Sequence, residues 1–542
     1  MKKTVTPLKK PEKGIFLRGV LIELVLLISA ALLFSLAFPN YLSSWGFFPL
    51  GFICFIPLVP LIHRSGWVRV CIYGFLYGLL SYSLFNFWLL KFHPLAIFIV
   101  PVIYAFYFLL LFPVFKLADT LFPRWGYIVQ CIIWLGYEYL KTRGFLGYSY
   151  GIIGYSQYLF LPLVRFSSLT GVWGVSLITL YPSFFLGYAW KAGYFKKGVS
   201  GLWEFLKRHR AEWILYGAVF IGVLGYGIAS KADLEGIETR KMALIQHNVD
   251  PWKSDYEASL KLLTELSSQA MKENPDMVVW SETAFVPSIE YHSKHRYNRK
   301  MYDLVLSLKE FLSAQPVPYV LGNDDGQQRR IGGDERIDYN AVFLYDGGFV
   351  DKYWKIHLVP FTENFPYQDV FPGIYNALRA ADTHFWEKGS KYTVFEAAGI
   401  KFSTPICFED TFGYLTRKFI RRGAEVIVNL TNDSWSYSTA SMMQHMAMSV
   451  FRATENKRSV VRSTNGGLTC IISPNGKILY RLPTFTEGYL VGNVPIYTEE
   501  DTLYTRFGDY FGVAALFIAL GLLLFGIIRF SIRTKSAIRE LE

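Results

Sequence analysis

The chain has 542 residues and a formal net charge of +12; 52% of it is apolar, 18% aromatic and only 18% charged. With a mean hydropathy of +0.25, this excludes an ordinary soluble protein of the same length, which would be more charged. The basic excess could signal nucleic acid, but Lys and Arg lie largely beside apolar runs, where flanking charge sets membrane orientation, so no nucleic-acid partner is expected.

Apolar side chains crowd into residues 15–230 and 510–530, whereas 231–509 reads as a soluble domain. Met1 to Gly14 is basic, and the apolar run after it has no convincing small-residue cleavage site, so it is expected to remain as a first span. A span needs roughly 20 apolar residues. About eight runs qualify: 17–37, 46–62, 68–90, 94–116, 125–141, 163–190, 212–230 and 509–530, of which the second and fifth are short. Lys2, Lys3, Lys9, Lys10, Lys13 and Arg18 precede the first run; Arg64 and Arg69 follow the second. Lys116 and Arg124 follow the fourth, Lys191, Lys196, Lys197, Lys207, Arg208 and Arg210 the sixth, and Arg529, Arg533, Lys535 and Arg539 the last. With eight spans all of these share one side, which the positive-inside rule makes cytoplasmic. Lys141 and Arg143 dissent. The soluble domain then follows an odd-numbered span and is expected to face outward. Glu23, Asn86, His93 and Glu138 are polar residues within or beside apolar runs; such groups are functional candidates by default, yet all but Glu138 fall near span ends, where snorkelling or loop placement explains them.

In the soluble stretch, 241–247, 276–280, 318–322, 341–345, 400–407, 424–430, 459–463 and 468–472 read as short strands rich in β-branched residues. Helical spacing recurs at 257–273, 299–314 and 439–457. This alternation predicts a layered α/β domain, with a hairpin turn at Pro474-Asn475-Gly476. Residues 361–390 form a long aromatic connection carrying Phe361, Phe365, Tyr367, Phe371, Tyr375, Phe385 and Trp386. Such a connection is either packed on its own core or a lid that touches lipid, where aromatic residues concentrate. Cys54, Cys71, Cys131, Cys407 and Cys470 show no paired spacing, so neither a disulfide framework nor a zinc site is indicated.

Three local patterns carry chemistry. V-V-W-S-E-T at 278–283 puts Glu282 just past an apolar strand; D-K-Y-W-K-I-H-L-V-P-F-T-E-N-F-P at 351–366 offers Lys355, His357 and Glu363; T-P-I-C-F-E-D at 404–410 puts Cys407 at the expected end of another strand, with Glu409 behind it. Singly, each has an ordinary structural explanation: a small core cysteine, a solvated glutamate, a solvated lysine. Together they supply a nucleophile with a carboxylate base and an ammonium for an oxyanion, at the strand ends where such groups converge. A Cys–His pair through His357 or His445 stays open.

In order and spacing these patterns resemble the Glu-Lys-Cys triad of the nitrilase superfamily. The whole chain resembles that superfamily's membrane-embedded branch, the apolipoprotein N-acyltransferases, most specifically in K-I-H-L-V-P-F-T-E at 355–363, P-I-C-F-E at 405–409, T-N-D-S-W at 431–435 and V-R-S-T-N-G-G at 461–467. The resemblance implies an N-terminal membrane domain of about seven helices over 1–237, a four-layer α-β-β-α sandwich over 238–497, and a final membrane helix with its tail over 498–542. It implies Glu282 as general base, Lys355 as oxyanion stabiliser and Cys407 as the thioester-forming nucleophile. Glu363 matches a further glutamate supporting the triad, Phe408 and Glu409 a Tyr-Glu pair beside the nucleophile, and Trp435 a tryptophan near the substrate pocket. Ser281, Phe408, Thr362 and the segment Q-H-N-V-D-P-W at 246–252 depart from the family pattern, where proline, tyrosine, glycine and a Q-G-N start are usual.

The implied reaction moves an acyl chain from a phospholipid, with phosphatidylethanolamine the expected donor, to the α-amine of a diacylglyceryl-cysteine lipoprotein. It implies a multi-pass protein of the bacterial inner membrane with a periplasmic catalytic domain. It implies no cofactor and no metal. A membrane-tethered amidase using water as acceptor would show the same triad, and a lipid-binding protein with a relic site is the non-enzymatic alternative.

Overall fold

The computed structural model describes residues 13–92, 96–328, 336–380 and 384–539. Lys2, Lys3, Lys9, Lys10 and His93 lie outside the described residues. Among the described residues, six helices are long and apolar enough to cross a membrane, within Leu17–Ala37, Trp67–Phe85, Ile97–Leu121, Val172–Lys191, Arg210–Ala229 and Tyr510–Ser536. Their outer faces are apolar and bare: Leu215, Ile221 and Ile228 on one helix, Phe517, Leu520 and Leu524 on another, are exposed. Large apolar faces of this kind belong against hydrocarbon. The chain is a multi-pass membrane protein.

The remaining two of the eight runs, 46–62 and 125–141, do not form helices of that length. Arg69 meets Glu23 at 2.8 Å, which brings the starts of the Lys13–Ala37 and Trp67–Phe85 helices to the same end of the bundle. The segment between them must therefore run back. It does so as a 3-10 turn, Phe48–Phe52, and a short helix, Leu58–Arg64, because Pro49, Pro57 and Pro60 deny a continuous hydrogen-bond ladder. The expected uninterrupted span at 46–62 is corrected to this broken one. The 125–141 run is the 15-residue helix Gly126–Leu140, and Gly171, at φ 66°, splits the 163–190 run before Val172–Lys191. A Cβ on Gly74 would strike the Phe108 backbone and one on Gly78 the Tyr104 backbone, so two antiparallel helices touch through small residues. Lys191 reaches Asp119 at 2.5 Å, Gly227 lies on the Pro162 backbone and Gly136 on Leu516. These contacts hold neighbouring segments of the bundle together at both of its ends.

The polar residues inside the bundle are structurally engaged. Glu23 accepts from Arg69 and Tyr73, each at 2.8 Å. Asn86 accepts from Tyr148 Oη at 2.8 Å, and Glu138 from Trp134 Nε1 at 3.1 Å and the Ile153 amide at 2.8 Å. The two dissenting basic residues are paired at the sheet-facing end. Lys141 is buried and donates to Tyr82 Oη and the Tyr150 carbonyl, whereas Arg143 pairs with Asp509.

Two six-stranded sheets follow, ordered β12-β1-β2-β3-β4-β5 and β11-β10-β9-β8-β7-β6. The strands are β1 Thr239–Gln246, β2 Met277–Trp280, β3 Tyr319–Gln328, β4 Arg336–Tyr345, β5 Phe349–Trp354, β6 Phe395–Ala397, β7 Ile400–Ser403, β8 Val426–Asn432, β9 Ser459–Asn465, β10 Cys470–Ile472, β11 Ile478–Arg481 and β12 Gly488–Pro495. Each sheet has a parallel centre, β1-β2-β3 and β7-β8-β9, with antiparallel strands outside it. The central strands are apolar on both faces because both are covered. In β1, Ala243 and Ile245 meet Leu260, Leu263 and Leu308 of the Tyr256–Met271 and Arg299–Ser313 helices. Met242 and Leu244 point the other way, into the core shared with the second sheet, and Ser463 Oγ donates across the two sheets to the Val279 carbonyl at 3.1 Å. With Gly413–Ile420 and Thr439–Asn456 outside the second sheet, the layers are α-β-β-α.

The Thr439–Asn456 helix is buried from Ala440 to Asn456, since its outer side lies on the membrane helices. Trp88 Nε1 donates to Gln444 at 3.0 Å and Ser167 meets Thr454 at 2.8 Å. The Pro474-Asn475-Gly476 turn joins β10 to β11 as expected, and Asn475 Oδ1 accepts the Ala232 amide at 2.7 Å. The 361–390 connection contains the helix Pro372–Ala380, so it is not structureless; residues 381–383 lie outside the described ones.

Candidate active site

β2 ends at Trp280, and Glu282 sits on the turn that follows, with Thr283 in the left-handed region at φ 45°. Gly322 makes room for this turn: a Cβ there would press on Ser281 O, Thr283 N and Glu282 Cα. Glu282 is 5% exposed, and its carboxylate is held at both oxygens. Asn340 Nδ2 donates to Oε1 at 2.7 Å and the Asn432 amide to Oε2 at 2.8 Å.

Lys355 follows β5, where its amide donates to the Asn340 carbonyl at 2.9 Å. Its ammonium is fully buried, 3.3 Å from Glu282 Oε1 and 2.8 Å from Glu363 Oε1. Glu363 is turned inward by its own loop: its amide donates to the Val359 carbonyl at 3.0 Å, its Oε2 accepts the Val359 amide at 2.9 Å, and Phe361 takes φ 67°. Burial alone would lower the Lys355 pKa, but the charges of Glu282 and Glu363 outweigh it and raise it, so the ammonium stays charged. Burial pushes Glu363 up, partly offset by Lys355.

Cys407 was expected at the end of a strand over 400–407. β7 stops at Ser403, Ile406 makes one bridge to Leu430, and Cys407 opens a 3-10 turn, Cys407–Thr411, at φ 48°. A cysteine in this region is strained, of order 1–3 kcal/mol, and such strain persists where the surroundings impose it. Cys407 is partly accessible. Burial and the Glu282 charge push its thiol up, while Lys355 pulls it down.

Glu409 lies between the Lys355 loop and the Cys407 turn. It is fully buried and accepts from the amides of Ile356 at 2.7 Å, His357 at 2.9 Å and Ile406 at 2.7 Å, and from Tyr353 Oη at 2.8 and 2.9 Å. One carboxyl thus ties the Lys355 loop to the Cys407 turn; burial lifts its pKa to about 7 against those donors. Phe408 packs beside Tyr150 and Phe412, and Trp435 lies on Trp88 at the edge of the bundle. The two histidines are engaged elsewhere. His357 packs on Phe412, contacts Tyr414 Oη at 3.3 Å, and is lowered to about 4 by burial, with Lys388 and Lys355 adding to it. His445 has an aspartate at each nitrogen.

Asn340, Asn432 and Tyr353 were not anticipated. The signal for Asn340 is one amide just before the apolar run 341–345 within β4; Asn432 acts through its backbone, which no side-chain pattern reports. Asp324, Asp338 and His384 are close enough together to hold a metal ion, but Arg336 already pairs with both aspartates.

Beside the site, Arg143, Phe145 and Leu146 from the bundle and Phe361, Phe365, Tyr367, Phe371 and Ile374 from the catalytic domain line a cavity of about 430 Å³. Phe145 packs edge-on against Phe361 and Tyr367. The aromatic connection therefore contacts the membrane domain as well as its own core.

The model of the family described as "Apolipoprotein N-acyltransferase N-terminal domain" matches residues 30–183, and that described as "Carbon-nitrogen hydrolase" matches 241–502. Apolipoprotein N-acyltransferase 1 of Treponema denticola is 41% identical over 525 residues, covering 92% of this chain and 95% of that one. The protein of the same name from Treponema pallidum is 40% identical over 536 residues, covering 96% and 98%. Among solved structures, an amidase from Nesterenkonia sp. is 19% identical, with a TM-score of 0.37, covering 52% of this chain and 98% of that one. On this similarity over nearly its whole length, the chain belongs to the apolipoprotein N-acyltransferase family.

Proposed function

We propose that this acyltransferase carries out the last acylation of lipoprotein maturation through a thioester on Cys407. In the first half-reaction Glu282 takes the thiol proton as the sulfur attacks the sn-1 ester carbonyl of a phospholipid, expected to be phosphatidylethanolamine. The oxyanion of the tetrahedral intermediate is met by the Lys355 ammonium. As the intermediate collapses, the bond to the glycerol oxygen breaks, Glu282 protonates that oxygen, and a lysophospholipid leaves. In the second half-reaction the free α-amine of a diacylglyceryl-cysteine attacks the thioester carbonyl. Glu282 removes a proton from the attacking nitrogen and returns it to the sulfur, leaving an amide and a neutral thiol. Glu363 keeps Lys355 aimed at the oxyanion, and Glu409 holds the loops in register.

The observation that carries this reading is the buried ammonium of Lys355 shared by Glu282 and Glu363, on loops clamped to the Cys407 turn by Glu409. The apolar cavity beside it supports a lipid substrate, because an acyl chain gains ~0.8 kcal/mol per buried CH₂. An inner-membrane location with the domain facing the periplasm is part of the proposal. It is supported by the basic residues Arg69, Lys116 and Lys191 gathered at the end of the bundle remote from the sheets, since Lys116 reaches the His63 carbonyl there.

Intact-protein mass spectrometry after incubation with phosphatidylethanolamine tests it. The expected result is an acyl-sized adduct on the wild type, absent in Cys407→Ala, discharged by a lipopeptide amine. Lysophospholipid release with no adduct, and no amide formed on the lipopeptide, would instead identify a hydrolase.

A further inference from the structure

Behind the nucleophile turn lies a second set of buried charges that the acyl-transfer chemistry leaves unused. Asp410 belongs to the same turn as Cys407, and Asp433 to the turn that carries Trp435; both are buried. His445, from the Thr439–Asn456 helix, puts Nε2 2.8 Å from Asp410 Oδ1 and Nδ1 3.0 Å from Asp433 Oδ1. Arg462 of β9 pairs with Asp410 and reaches Asp433 Oδ2 at 3.5 Å. Ser449 Oγ donates to Asp410 Oδ2 at 2.6 Å and accepts from Arg462 at 2.7 Å. Tyr150 covers the imidazole from the bundle side, ring centres 6.2 Å apart.

A ring nitrogen facing a carboxylate must carry a proton to bond it, and both nitrogens of His445 do so. Burial opposes the charged form, but Asp433 and Asp410 overcome it and lift the group to about 9. The two anions and two cations then sum to zero. The charges facing Cys407 itself are those of Glu282, Lys355, Asp433 and Glu363. The neighbouring Gln444 anchors the same helix to the bundle, donating to the Pro39 carbonyl at 2.8 Å and the Phe85 carbonyl at 3.2 Å.

We infer that His445 is a positioning residue for the nucleophile: its imidazolium bridges Asp410 and Asp433, fixes the Cys407 turn against the Trp435 turn, and neutralises the carboxylate charge facing the thiol. This rests on Cys407 being the nucleophile. The geometry requires a residue that donates at both ends and carries a positive charge, a pair of properties that glutamine and asparagine lack.

The test uses full-length protein in detergent. The pH midpoint of iodoacetamide modification at Cys407 is read by peptide mass spectrometry, beside the rate of thioester formation from phosphatidylethanolamine. In His445→Gln the midpoint moves to higher pH and thioester formation slows at least about tenfold, as expected for a misplaced, less ionisable nucleophile. Asp433→Asn moves the midpoint to lower pH, and His445→Gln with Asp433→Asn, neutral again, returns it towards the wild type. A structural role alone would slow the reaction without moving the midpoint in opposite directions. Coincident midpoints in the three variants overturn the inference. If His445→Gln does not fold, an unmoved midpoint in Asp433→Asn overturns it alone. A wild type that forms no thioester at Cys407 defeats the proposed function instead, so the two failures are distinguishable.

Discussion

The two sides of the Cys407 turn bury charge differently. In front, Lys355 alone faces two carboxylates, Glu282 and Glu363, and the three loops carry Thr283, Phe361 and Cys407 at positive φ. Behind, Asp410 and Asp433 are matched by His445 and Arg462, with Ser449 completing the set. An unbalanced, strained cluster can shift protons as a substrate arrives, whereas a balanced one resists change. On the proposed mechanism, the unbalanced side is the reactive one and the balanced side holds it in place.

The largest expected effects lie in front. Cys407→Ala abolishes adduct formation, and Glu282→Gln lowers single-turnover lysophospholipid release by about 10²–10⁴-fold, the range for losing a general base. Lys355→Met falls in the same range and also lowers the melting temperature, because two buried carboxylates lose their counter-charge; a fully active, stable Lys355→Met would show that the cluster is not unbalanced in the sense described.

Gly322→Ala tests whether placement alone matters. Its Cβ would push the Glu282 turn, and a shift of about 1 Å costs about 10²-fold in rate. A normal rate would mean that the strained side tolerates movement. Glu409→Gln should lose about tenfold in rate and several degrees in melting temperature, since one amide oxygen cannot serve all the donors that now converge there and each orphaned donor costs about 1–3 kcal/mol.

The pH dependence separates the two sides in stability. The folded-state pKa of His445 is raised from 6.5 to about 9, so its stabilisation is complete below pH 6.5 and disappears as pH rises through 9. The melting temperature should fall between pH 7 and 10, and less so in His445→Gln. His357 has the opposite sign. Lowered from 6.5 to about 4, it favours the folded state above pH 6.5, and that contribution is lost as pH falls through 4. The smallest effect is expected from Phe408→Tyr, which restores the usual family residue beside Tyr150 and Phe412: a few-fold change at most in single-turnover rate.

Much of this architecture was legible without coordinates. The membrane runs showed because lipid-facing and core-facing side chains are alike apolar, and the central strands β1, β2, β8 and β9 showed because both their faces are covered. The strands given no range from sequence, β5, β6, β12 and β11 (the last implied only by its hairpin turn), are the four sheet edges. Edge strands carry polar and exposed positions, as in Ile478–Arg481 with its two exposed residues, so their apolar alternation is weak. The Pro372–Ala380 helix was hidden by the aromatic residues around it. Prolines 49, 57 and 60 were visible in the 46–62 run, but their effect on continuity depends on how neighbouring helices pack.

Glu282, Lys355 and Cys407 could be singled out from sequence because each stands in a short segment whose residue order is itself informative. What sequence could not provide was the turn geometry of Cys407, the role of Glu409 as a clamp, and the imidazolium between Asp410 and Asp433. Hydropathy and strand patterns are local, summing over neighbours along the chain. Charge pairing in a buried site acts through space between residues far apart in sequence, and only the packed sheets and helices decide which carboxylate meets which cation.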